Sequence, residues 1–271
     1  MSTPSQPVPE NRAVLEKREG NVATLILNRP ERMNALNKDL ATGLCDALGR
    51  LETDQDIDVV VIAGAGRAFC AGGDLGVIGK GRENNDLTDL DPILRAGMRA
   101  VLRIRTMRQP VIAAVHGAAA GAGMNIALAA DIRIASEDAT FGQNFAKVGL
   151  FPDYGGTFFL PELVGPAKAA EMFYTGDMID AAEALRLGIV NRVVPLAQLE
   201  STVRTLAQKI ASGPGIAIRA MKRVLFADAK QALTKALEQE VEQQMKCFPS
   251  EDCGEGIRAF FGKRPPNFQG K

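Results

Sequence analysis

Hydrophobic and polar positions in the first part of the chain predict a hairpin, a helix and a buried strand. Residues 15–19 and 22–28 are strand-like runs separated by Gly20 and Asn21, which together are a good hairpin signal. Asn37 is a suitable N-cap for the next element, because apolar residues then recur at helical spacing. Residues 58–63 are almost continuously apolar, which is typical of a strand buried on both faces.

The rest of the chain repeats the order of strand, glycine-rich turn and helix, and becomes almost wholly helical after Gly165. Polar and glycine-rich residues over 76–91 predict a mobile loop. The repeated units predict an α/β fold around a parallel sheet. The elements predicted beyond that loop are a helix over 92–108, a strand over 111–115, a turn and a helix through residue 131, a strand over 132–135, and amphipathic helices over 196–211, 214–226 and 229–247.

The change in composition near residue 195 predicts two parts of one chain, a core over 12–195 and a helical C-terminal subdomain over 196–271. Residues 1–11 are rich in proline and serine without an apolar run, so we expect a disordered lead-in, not a signal peptide or anchor. The apolar run over 111–130 contains histidine, asparagine and glycines among many alanines, which makes it a poor membrane span. We therefore expect a cytoplasmic protein with no membrane partner.

The net charge limits which binding partners we expect, and the cysteines indicate the cellular compartment. The 271 residues carry a formal net charge of zero, so we expect no overall attraction to nucleic acid or to an anionic membrane. The four cysteines form no C-x-x-C pair, which favours free thiols in a reducing compartment. Arg95, Arg99 and Arg103 lie four residues apart on one face of a predicted helix. That face is either a solvated surface or a patch for phosphate or RNA.

Several well-known catalytic motifs do not occur in the sequence. His116 is the only histidine, so the chain offers no histidine-rich metal site, and we expect no metal. It ends a predicted strand, where a structural role is expected in preference to catalysis. The sequence contains no G-x-S-x-G, G-x-x-x-x-G-K-[ST] or complete G-x-G-x-x-G, which argues against a serine hydrolase, a P-loop protein and a dinucleotide-binding protein.

Two glycine-rich turns, CAGGDL at 70–75 and AAGAGMN at 119–125, each separate a predicted strand from a helix. Small residues at such a point leave backbone N–H groups free at the positive end of the helix dipole. Two such turns brought together would form an oxyanion hole, which stabilises a thioester enolate without any side chain. Each turn alone is a weak signal, because glycine-rich turns are common.

Asp153 has unusual surroundings, because it lies in LFPDYGGT at 150–157 between apolar residues and a glycine pair. The local pattern by itself favours an Asx-turn that holds this segment in shape. It also allows a catalytic base, because burial among apolar side chains raises the pKa of a carboxyl into a useful range.

A series of longer motifs runs in order along the chain. They are NRPERMNAL (28–36), FCAGGDL (69–75), HGAAAGAG (116–123), ADIRIAS (130–136), FGQNFAKVGLFPDYGGT (141–157), YTGDMIDAAEALRLGIVNRVV (174–194) and the terminal FFGKRPPNFQGK. Together they resemble the enoyl-CoA hydratase/isomerase (crotonase) family. The resemblance implies a crotonase-like spiral of ββα units with a helical C-terminal trimerisation region. It also implies an acyl-CoA substrate from fatty or aromatic acid metabolism, and a homotrimer or a hexamer of two trimers.

The resemblance also assigns roles to individual residues. It puts the oxyanion-hole donors on the N–H groups of Gly73 and Ala122, although the family usually has glycine at the second position and alanine narrows the approach to the backbone. Phe260 and Lys263 resemble residues that close the coenzyme A site from a neighbouring subunit. The other implied substrate contacts are Arg32 and Ala35 at the nucleotide end, Ala71, Gly72, Asp74 and Leu75 at the adenine and pantetheine, and further Gly121, Asn125, Phe145, Pro152 and Tyr154. Tyr154 either orients a substrate oxygen or packs, and Asn125 is a candidate hydrogen-bond partner of substrate or water.

Two departures from the family pattern bear on the reaction. Hydratases of this family use two glutamates to activate one water, and the matching positions here hold Asn125 and Phe145. Neither side chain transfers a proton at neutral pH, so a simple hydratase is not expected. Asp153 resembles the acidic base of the isomerase branch, and its segment is especially similar to the 1,2-epoxyphenylacetyl-CoA isomerase type.

The prediction is an acyl-CoA isomerase in which Asp153 moves a proton between carbons while Gly73 and Ala122 hold the enolate oxygen. Coenzyme A enters as part of the substrate, so no separate cofactor is expected. Two alternatives stay open. One is a hydratase or hydrolase in which Asp153 activates water, and the other is a non-catalytic RNA-binding homologue that uses the arginine face.

Overall fold

The structure, a computed structural model, describes residues 13–271, so the predicted lead-in over 1–11 lies outside the described residues. The strands are β1 (Val14–Glu19), β2 (Val22–Leu27), β3 (Val59–Gly64), β4 (Val111–Val115), β5 (Ala118–Ala120), β6 (Ile132–Ser136), β7 (Thr140–Gly142), β8 (Met178–Asp180) and β9 (Arg192–Val194). The helices are α1 (Lys38–Thr53), α2 (Leu75–Glu83), α3 (Leu90–Thr106), α4 (Ala122–Ala129), α5 (Gly156–Val164), α6 (Pro166–Thr175), α7 (Ala181–Arg186), α8 (Leu196–Ala211), α9 (Gly215–Leu225), α10 (Ala229–Cys247) and α11 (Glu251–Phe261). Short 3₁₀ helices cover Pro30–Arg32 and Asn144–Val148.

A six-stranded sheet in the order β1-β2-β3-β4-β6-β9 forms the centre of the fold. β1 and β2 are the predicted hairpin, antiparallel with Val14 opposite Leu27. All other neighbours in this sheet are parallel, and the helices between them supply the crossover connections that parallel pairing requires. The predicted α/β fold with a parallel sheet is thereby confirmed.

Helix α1 and strand β3 fold as their local sequence predicts. The side chain of Asn37 caps α1, because its Oδ1 accepts a hydrogen bond from the Leu40 N–H at 3.0 Å. β3 is buried on both faces because helices cover both sides of the sheet. Val60 packs in the main core together with the apolar face of α1, whereas Val61 packs against Leu199 of α8 on the opposite face.

A smaller sheet of β5, β7 and β8 lies beside the main one and begins inside a segment predicted as a turn. Two isolated bridges, one of them to β5, connect the neighbouring segments to this sheet. Cys70 pairs with Ala119, and Leu36 pairs with Gly73, both in parallel orientation. This pairing brings the two glycine-rich turns next to each other.

The prediction of a loop over 76–91 is wrong for most of that segment, because α2 occupies Leu75–Glu83 and α3 already begins at Leu90. Asp74 caps α2, since its Oδ1 accepts from the Gly76 N–H at 3.1 Å. Ile78 is buried and packs in the main core. A helix cap and one buried apolar residue therefore outweigh the glycine content that suggested a loop.

The chain after residue 195 is helical, as predicted. α8 covers the outer face of the main sheet, α10 packs on α3, and α11 packs on α2 and on the 3₁₀ helix at Asn144–Val148. The division of the chain near residue 195 stays a prediction. Within residues 13–271, no helix is long and apolar enough to cross a membrane.

Candidate active site

One cavity of about 540 Å³ collects most of the residues that the resemblance assigns to the substrate. It lies where the two glycine-rich turns, the loop that carries Asp153, and helices α10 and α11 meet. The assigned residues that line it are Arg32, Ala35, Ala71, Gly72, Gly73, Asp74, Leu75, Gly121, Ala122, Phe145, Asp153, Tyr154 and Phe260. Three others, Asn125, Pro152 and Lys263, are absent from the cavity wall in the described part of the chain.

The two glycine-rich turns lie side by side at one wall of this cavity. The Cys70 N–H donates to the Ala118 carbonyl and the Ala120 N–H donates to the Cys70 carbonyl, both at 3.0 Å. Gly72 has a left-handed φ of 94°, and a Cβ there would lie 2.8 Å from the Ala120 oxygen and 3.7 Å from the Ala122 nitrogen. Glycine at this position therefore allows the close approach of the two turns.

The geometry leaves the Gly73 and Ala122 N–H groups available to a ligand. The carbonyl of Gly72 accepts from the Leu36 N–H at 2.7 Å, so the Gly73 N–H of the same trans peptide points the opposite way. Ala122 is the first residue of α4, where a backbone N–H has no partner in the preceding turn. Within residues 13–271, no protein oxygen accepts from either group.

Asn34 holds this wall together, although no motif identified it as a site residue. It is fully buried in a left-handed conformation with φ 55°. Its side-chain Nδ2 donates to the carbonyls of Ala65 at 2.9 Å and Ala68 at 2.7 Å, and its Oδ1 accepts from the Arg29 N–H at 2.8 Å. A signal was present in NRPERMNAL, since asparagine is one of the few residues that tolerate the left-handed region next to a turn.

Asp153 has a buried carboxyl in which one oxygen is hydrogen-bonded within residues 13–271 and the other is not. Its Oδ2 accepts a hydrogen bond from Gln244 Nε2 at 3.1 Å. Its Oδ1 has no hydrogen-bond partner among the described residues. Burial raises the pKa of Asp153 to about 8; the hydrogen bond from Gln244 opposes this shift and the negative charge of Glu240 adds to it. The side chain therefore does not serve as the Asx-turn acceptor that the local pattern favoured.

Asn125 supports the Asp153 loop from behind and does not line the cavity. Its Nδ2 donates to the Asp153 backbone carbonyl at 2.7 Å, and its Oδ1 accepts from Gln143 Nε2 at 2.7 Å. A Cβ on Gly156 would overlap the Asn125 amide, so the two segments are in close contact. Asn125 is fully buried and each end of its amide is hydrogen-bonded inside the protein, so its contacts in the described residues are those of a support for the loop.

Helix α10 supplies two buried polar residues that no motif in the sequence identified. Gln244 lies behind Asp153, and Glu240 lies one turn earlier. The Glu240 carboxyl accepts from the Gly155 N–H at 2.7 Å, the Thr157 N–H at 2.9 Å and Thr157 Oγ1 at 2.5 Å. Burial raises the pKa of Glu240 to about 7, and these hydrogen bonds oppose the shift. Their positions on the buried stripe of α10 were the available signal, since polar side chains there need internal partners.

Tyr154 packs against α3 more than it offers a polar group to a ligand. Its Oη donates to the Ile93 carbonyl at 3.2 Å. Its ring covers Gly97, where any Cβ would overlap it. Of the two roles considered for Tyr154, packing is the one for which the structure provides contacts.

The cavity wall next to Asp153 is apolar, as expected for Phe145. The Phe145 ring would lie 3.4 Å from a Cβ on Gly121, so it closes over the turn that carries Ala122. The other apolar residues of this part of the wall are Leu90, Ile93, Leu94, Val148 and Leu150. The cavity lining thus contains a set of apolar side chains alongside the Asp153 carboxyl.

Phe260 lines the cavity of its own chain, together with Phe261. α11 folds back on α2 of the same chain, and closure of a neighbouring subunit's site by Phe260 stays a prediction. Lys263 lies outside the cavity wall. The lysine that does line it is Lys147, which is paired with Asp177 at 2.9 Å.

The remaining candidates lie away from this cavity. His116 Nε2 is hydrogen-bonded to the Gly66 carbonyl at 2.8 Å, in agreement with a structural role. Arg95 pairs with Asp91 at 2.8 Å, and Arg103 Nη1 donates to the Cys45 carbonyl at 2.9 Å. Two of the three arginines on the predicted face are thus engaged within the chain. In the region that the structure describes, no three His, Cys, Asp or Glu side chains are grouped to hold a metal.

Comparison with known proteins identifies the class to which this fold and site belong. A family model described as enoyl-CoA hydratase/isomerase matches residues 17–271. An enoyl-CoA hydratase from Mycobacterium avium subsp. paratuberculosis K-10 superposes with a TM-score of 0.87 at 34% identity, covering 95% of this chain and 98% of that one. The chain belongs to the enoyl-CoA hydratase/isomerase (crotonase) family, and it is an enzyme of that family with the crotonase fold.

Curated relatives at equal identity have different activities. The crotonyl-CoA hydratase of Syntrophomonas wolfei subsp. wolfei is 37% identical over 259 residues, covering 95% of this chain and 98% of the relative. The 1,2-epoxyphenylacetyl-CoA isomerase of Escherichia coli K12 is 37% identical over 263 residues, with the same coverage. Sequence identity to these relatives therefore does not distinguish a hydratase from an isomerase. The geometry of the site is the remaining basis for that distinction.

Proposed function

We propose that the protein is an acyl-CoA isomerase that shifts a double bond, or rearranges an unsaturated or epoxide-bearing ring, beside a coenzyme A thioester. One observation carries the proposal. Asp153 is a single buried carboxyl in the cavity wall, and its Oδ1 has no partner among residues 13–271. At the positions where hydratases of the family hold their two glutamates, this chain has Asn125, whose amide is hydrogen-bonded to the protein at both ends, and Phe145.

In the proposed reaction, ionised Asp153 removes a proton from C2 or C4 of the acyl chain. The electron pair moves towards the thioester carbonyl, and the Gly73 and Ala122 N–H groups donate hydrogen bonds to the resulting enolate oxygen. Asp153 then returns the proton to the other carbon. Product and substrate thus have the same mass, and the carboxyl ends in its starting ionisation state.

The environment of Asp153 suits a proton shuttle. A base is most effective when its pKa lies near the working pH, and the pKa of Asp153, raised to about 8 by burial, meets this requirement. The apolar wall of Phe145 and Leu150 limits access of water to the enolate. Both features favour return of the proton to carbon over addition of water.

A hydratase is the second candidate, and the 37% identity to a crotonyl-CoA hydratase supports it. In that case Asp153 would activate a water for addition to a 2-enoyl-CoA. The two reactions are separated by product mass, because hydration adds one water and isomerisation adds nothing. A panel of 2-enoyl-, 3-enoyl- and aryl-epoxide-acyl-CoA esters, followed by mass and ultraviolet spectra, tests both.

The direct test of the proposed base is Asp153→Asn. This change removes the proton acceptor and keeps the size of the side chain, so we expect exchange of the substrate's acidic proton with deuterated solvent to be abolished. Binding of the coenzyme A ester should survive, because it depends on other parts of the cavity. Exchange at the wild-type rate in this variant would show that Asp153 is not the base.

The proposal extends to cofactor, assembly and location. The reaction moves a proton within one substrate, so it needs no cofactor besides the coenzyme A of the substrate itself. We propose a homotrimer or a hexamer of two trimers, supported by the family resemblance and by the exposed apolar residues of α9. The four cysteines, all within the described residues, are free thiols, which favours the cytoplasm.

A further inference from the structure

Helix α10 contacts the loop that carries Asp153 through two side chains, one turn apart. Glu240 accepts hydrogen bonds from Gly155 and Thr157, at the start of α5. Gln244 contacts the other side of Asp153. The loop is therefore held from one helix on both sides of its carboxyl, by residues far away in the chain.

Gln244 makes two hydrogen bonds that fix the orientation of its amide. Its Oε1 accepts from the Phe151 N–H at 3.0 Å, and its Nε2 donates to Asp153 Oδ2 at 3.1 Å. The side chain is buried and belongs to the cavity wall. Because a backbone N–H can only donate, the Phe151 bond holds the oxygen of the amide on that side and the NH₂ group on the side of Asp153.

We propose that Gln244 is a positioning residue for the proton transfer, which holds Oδ2 of Asp153 in a hydrogen bond, leaves Oδ1 to accept the substrate proton, and favours the ionised carboxyl. The inference rests on the proposed function of Asp153 as the base. It adds Gln244 to the acyl site. This residue lies outside the motifs on which the family resemblance rests.

The other groups around Asp153 do not perform this task. Glu240, from the same helix, is an acid whose negative charge disfavours ionisation of Asp153. Tyr154, from the same loop, is a neutral neighbour whose pKa is raised well above its usual value by burial. No cation among the described residues pairs with Asp153, and the lysine and arginines of the cavity wall are not its partners. Gln244 is thus the single side chain of the described chain that donates to this carboxyl.

Two variants separate this role from simple anchoring of the loop. Gln244→Glu keeps an acceptor for the Phe151 N–H but replaces the donor to Asp153 with a second acid. Gln244→Met removes both hydrogen bonds at similar side-chain length. Gln243→Met is the matched control, because Gln243 is a partly buried neighbour on α10 with no side-chain hydrogen bond in the described region.

The measurement is the pH dependence of kcat and KM for isomerisation of an enoyl-CoA. Since loss of the donor disfavours ionised Asp153, we expect the acidic limb of kcat to move to higher pH by about one unit or more in Gln244→Glu, and in the same direction in Gln244→Met. A shift of about one unit lowers kcat at pH 7 about tenfold, with KM changed by less than about threefold. Gln243→Met should keep the wild-type profile.

If the acidic limb of kcat in Gln244→Glu is not shifted, the proposal is overturned. This holds also if kcat falls by the same factor at every pH and the melting temperature falls with it. That pattern would mean that Gln244 only holds the loop. If Gln244→Met does not fold, Gln244→Glu decides alone. Asp153→Asn, measured in parallel, separates the two hypotheses: proton exchange that survives in it disproves the base itself, whereas lost exchange with an unshifted Gln244→Glu profile disproves only the role of Gln244.

Discussion

Asp153 and Glu240 are two carboxyls that share one buried region, and burial raises the pKa of both, to about 8 and about 7. They differ in their partners. Glu240 accepts three hydrogen bonds from the start of α5, whereas Asp153 keeps one oxygen without a partner in the described residues. A carboxyl that is left underbonded in an apolar wall is costly for folding and useful for proton transfer.

Because burial of the ionised Asp153 carboxyl disfavours folding, we expect Asp153→Asn to stabilise the folded protein at neutral pH. The folded pKa is raised from 3.8 to about 8, so the carboxyl binds a proton in the folded chain and releases it on unfolding. Its stabilising contribution is complete below pH 4 and is lost as the pH rises towards 8. We expect the variant to gain about 2 kcal/mol or more at pH 7, and nothing near pH 4.

Thermal unfolding at several pH values measures this effect, with a gain of about 2–4 °C in Tm for each kcal/mol. Asp46→Asn is the control, because Asp46 is exposed and has no partner in the described chain. A Tm difference that is the same at pH 4 and pH 7 would contradict the raised pKa.

At the scale of elements, α11 and the residues after it form one unit that closes the cavity. Asp252 in the first turn accepts from the Gln269 N–H at 2.7 Å and from the Gly270 N–H at 2.8 Å. Glu255 pairs with Arg264 in a two-pronged contact, which lowers the pKa of that carboxyl to about 2. These contacts hold the end of the chain against the helix that carries Phe260 to the cavity.

The N-cap of α11 offers a test of this unit. Ser250 Oγ accepts from the Cys253 N–H at 3.1 Å, and Ser250→Ala removes this acceptor. We expect a loss of about 1 kcal/mol, seen as a fall of about 2–4 °C in Tm. Because α11 closes the cavity without touching Asp153, KM for the coenzyme A ester should rise while kcat stays close to the wild-type value.

Ser250→Asp keeps a capping oxygen and should restore both Tm and KM. A fall in kcat with unchanged KM in Ser250→Ala would show that α11 acts on the chemical step instead of on closure of the cavity.

At the scale of the whole molecule, α9 presents apolar side chains that no part of residues 13–271 covers. Ile216 is 82% exposed, Val224 72% and Leu225 75%, and the one buried residue of this helix is Lys222. Lys222 anchors the helix to the core, because its Nζ pairs with Asp131 at 2.8 Å. Large exposed apolar residues grouped on one helix favour an interaction surface there.

We therefore expect the protein to sediment as a trimer or hexamer, and the double variant Ile216→Glu with Val224→Glu to shift it to a smaller species. Charges placed in an apolar interface oppose association because they lose their hydration without gaining partners. The matched control is Ser201→Glu with Thr205→Glu, on the exposed face of α8. A wild-type monomer, or a double α9 variant of unchanged mass, would contradict the proposed assembly.

The sequence by itself determined the elements whose causes are local. The hairpin at β1 and β2, the Asn37 cap and the doubly buried β3 follow from turn chemistry, capping and hydrophobic period, which depend on residues close together in the chain. Its motifs also indicated the family, the two N–H donors and Asp153 as the acid. The helix over 75–83 was wrongly predicted as part of a loop. Its glycines are visible in the sequence, whereas the packing of Ile78 in the core is not.

Only the tertiary structure decided which groups meet at the site. Gln244 lies 91 residues beyond Asp153 and Glu240 lies 85 beyond Gly155, and no spacing in the sequence relates such distant positions. In the tertiary structure, Asn125 likewise supports the loop of Asp153, and Phe260 lines the cavity of its own chain. Local patterns fix the conformation of a segment, whereas burial and pairing of polar groups depend on what the rest of the chain packs against it.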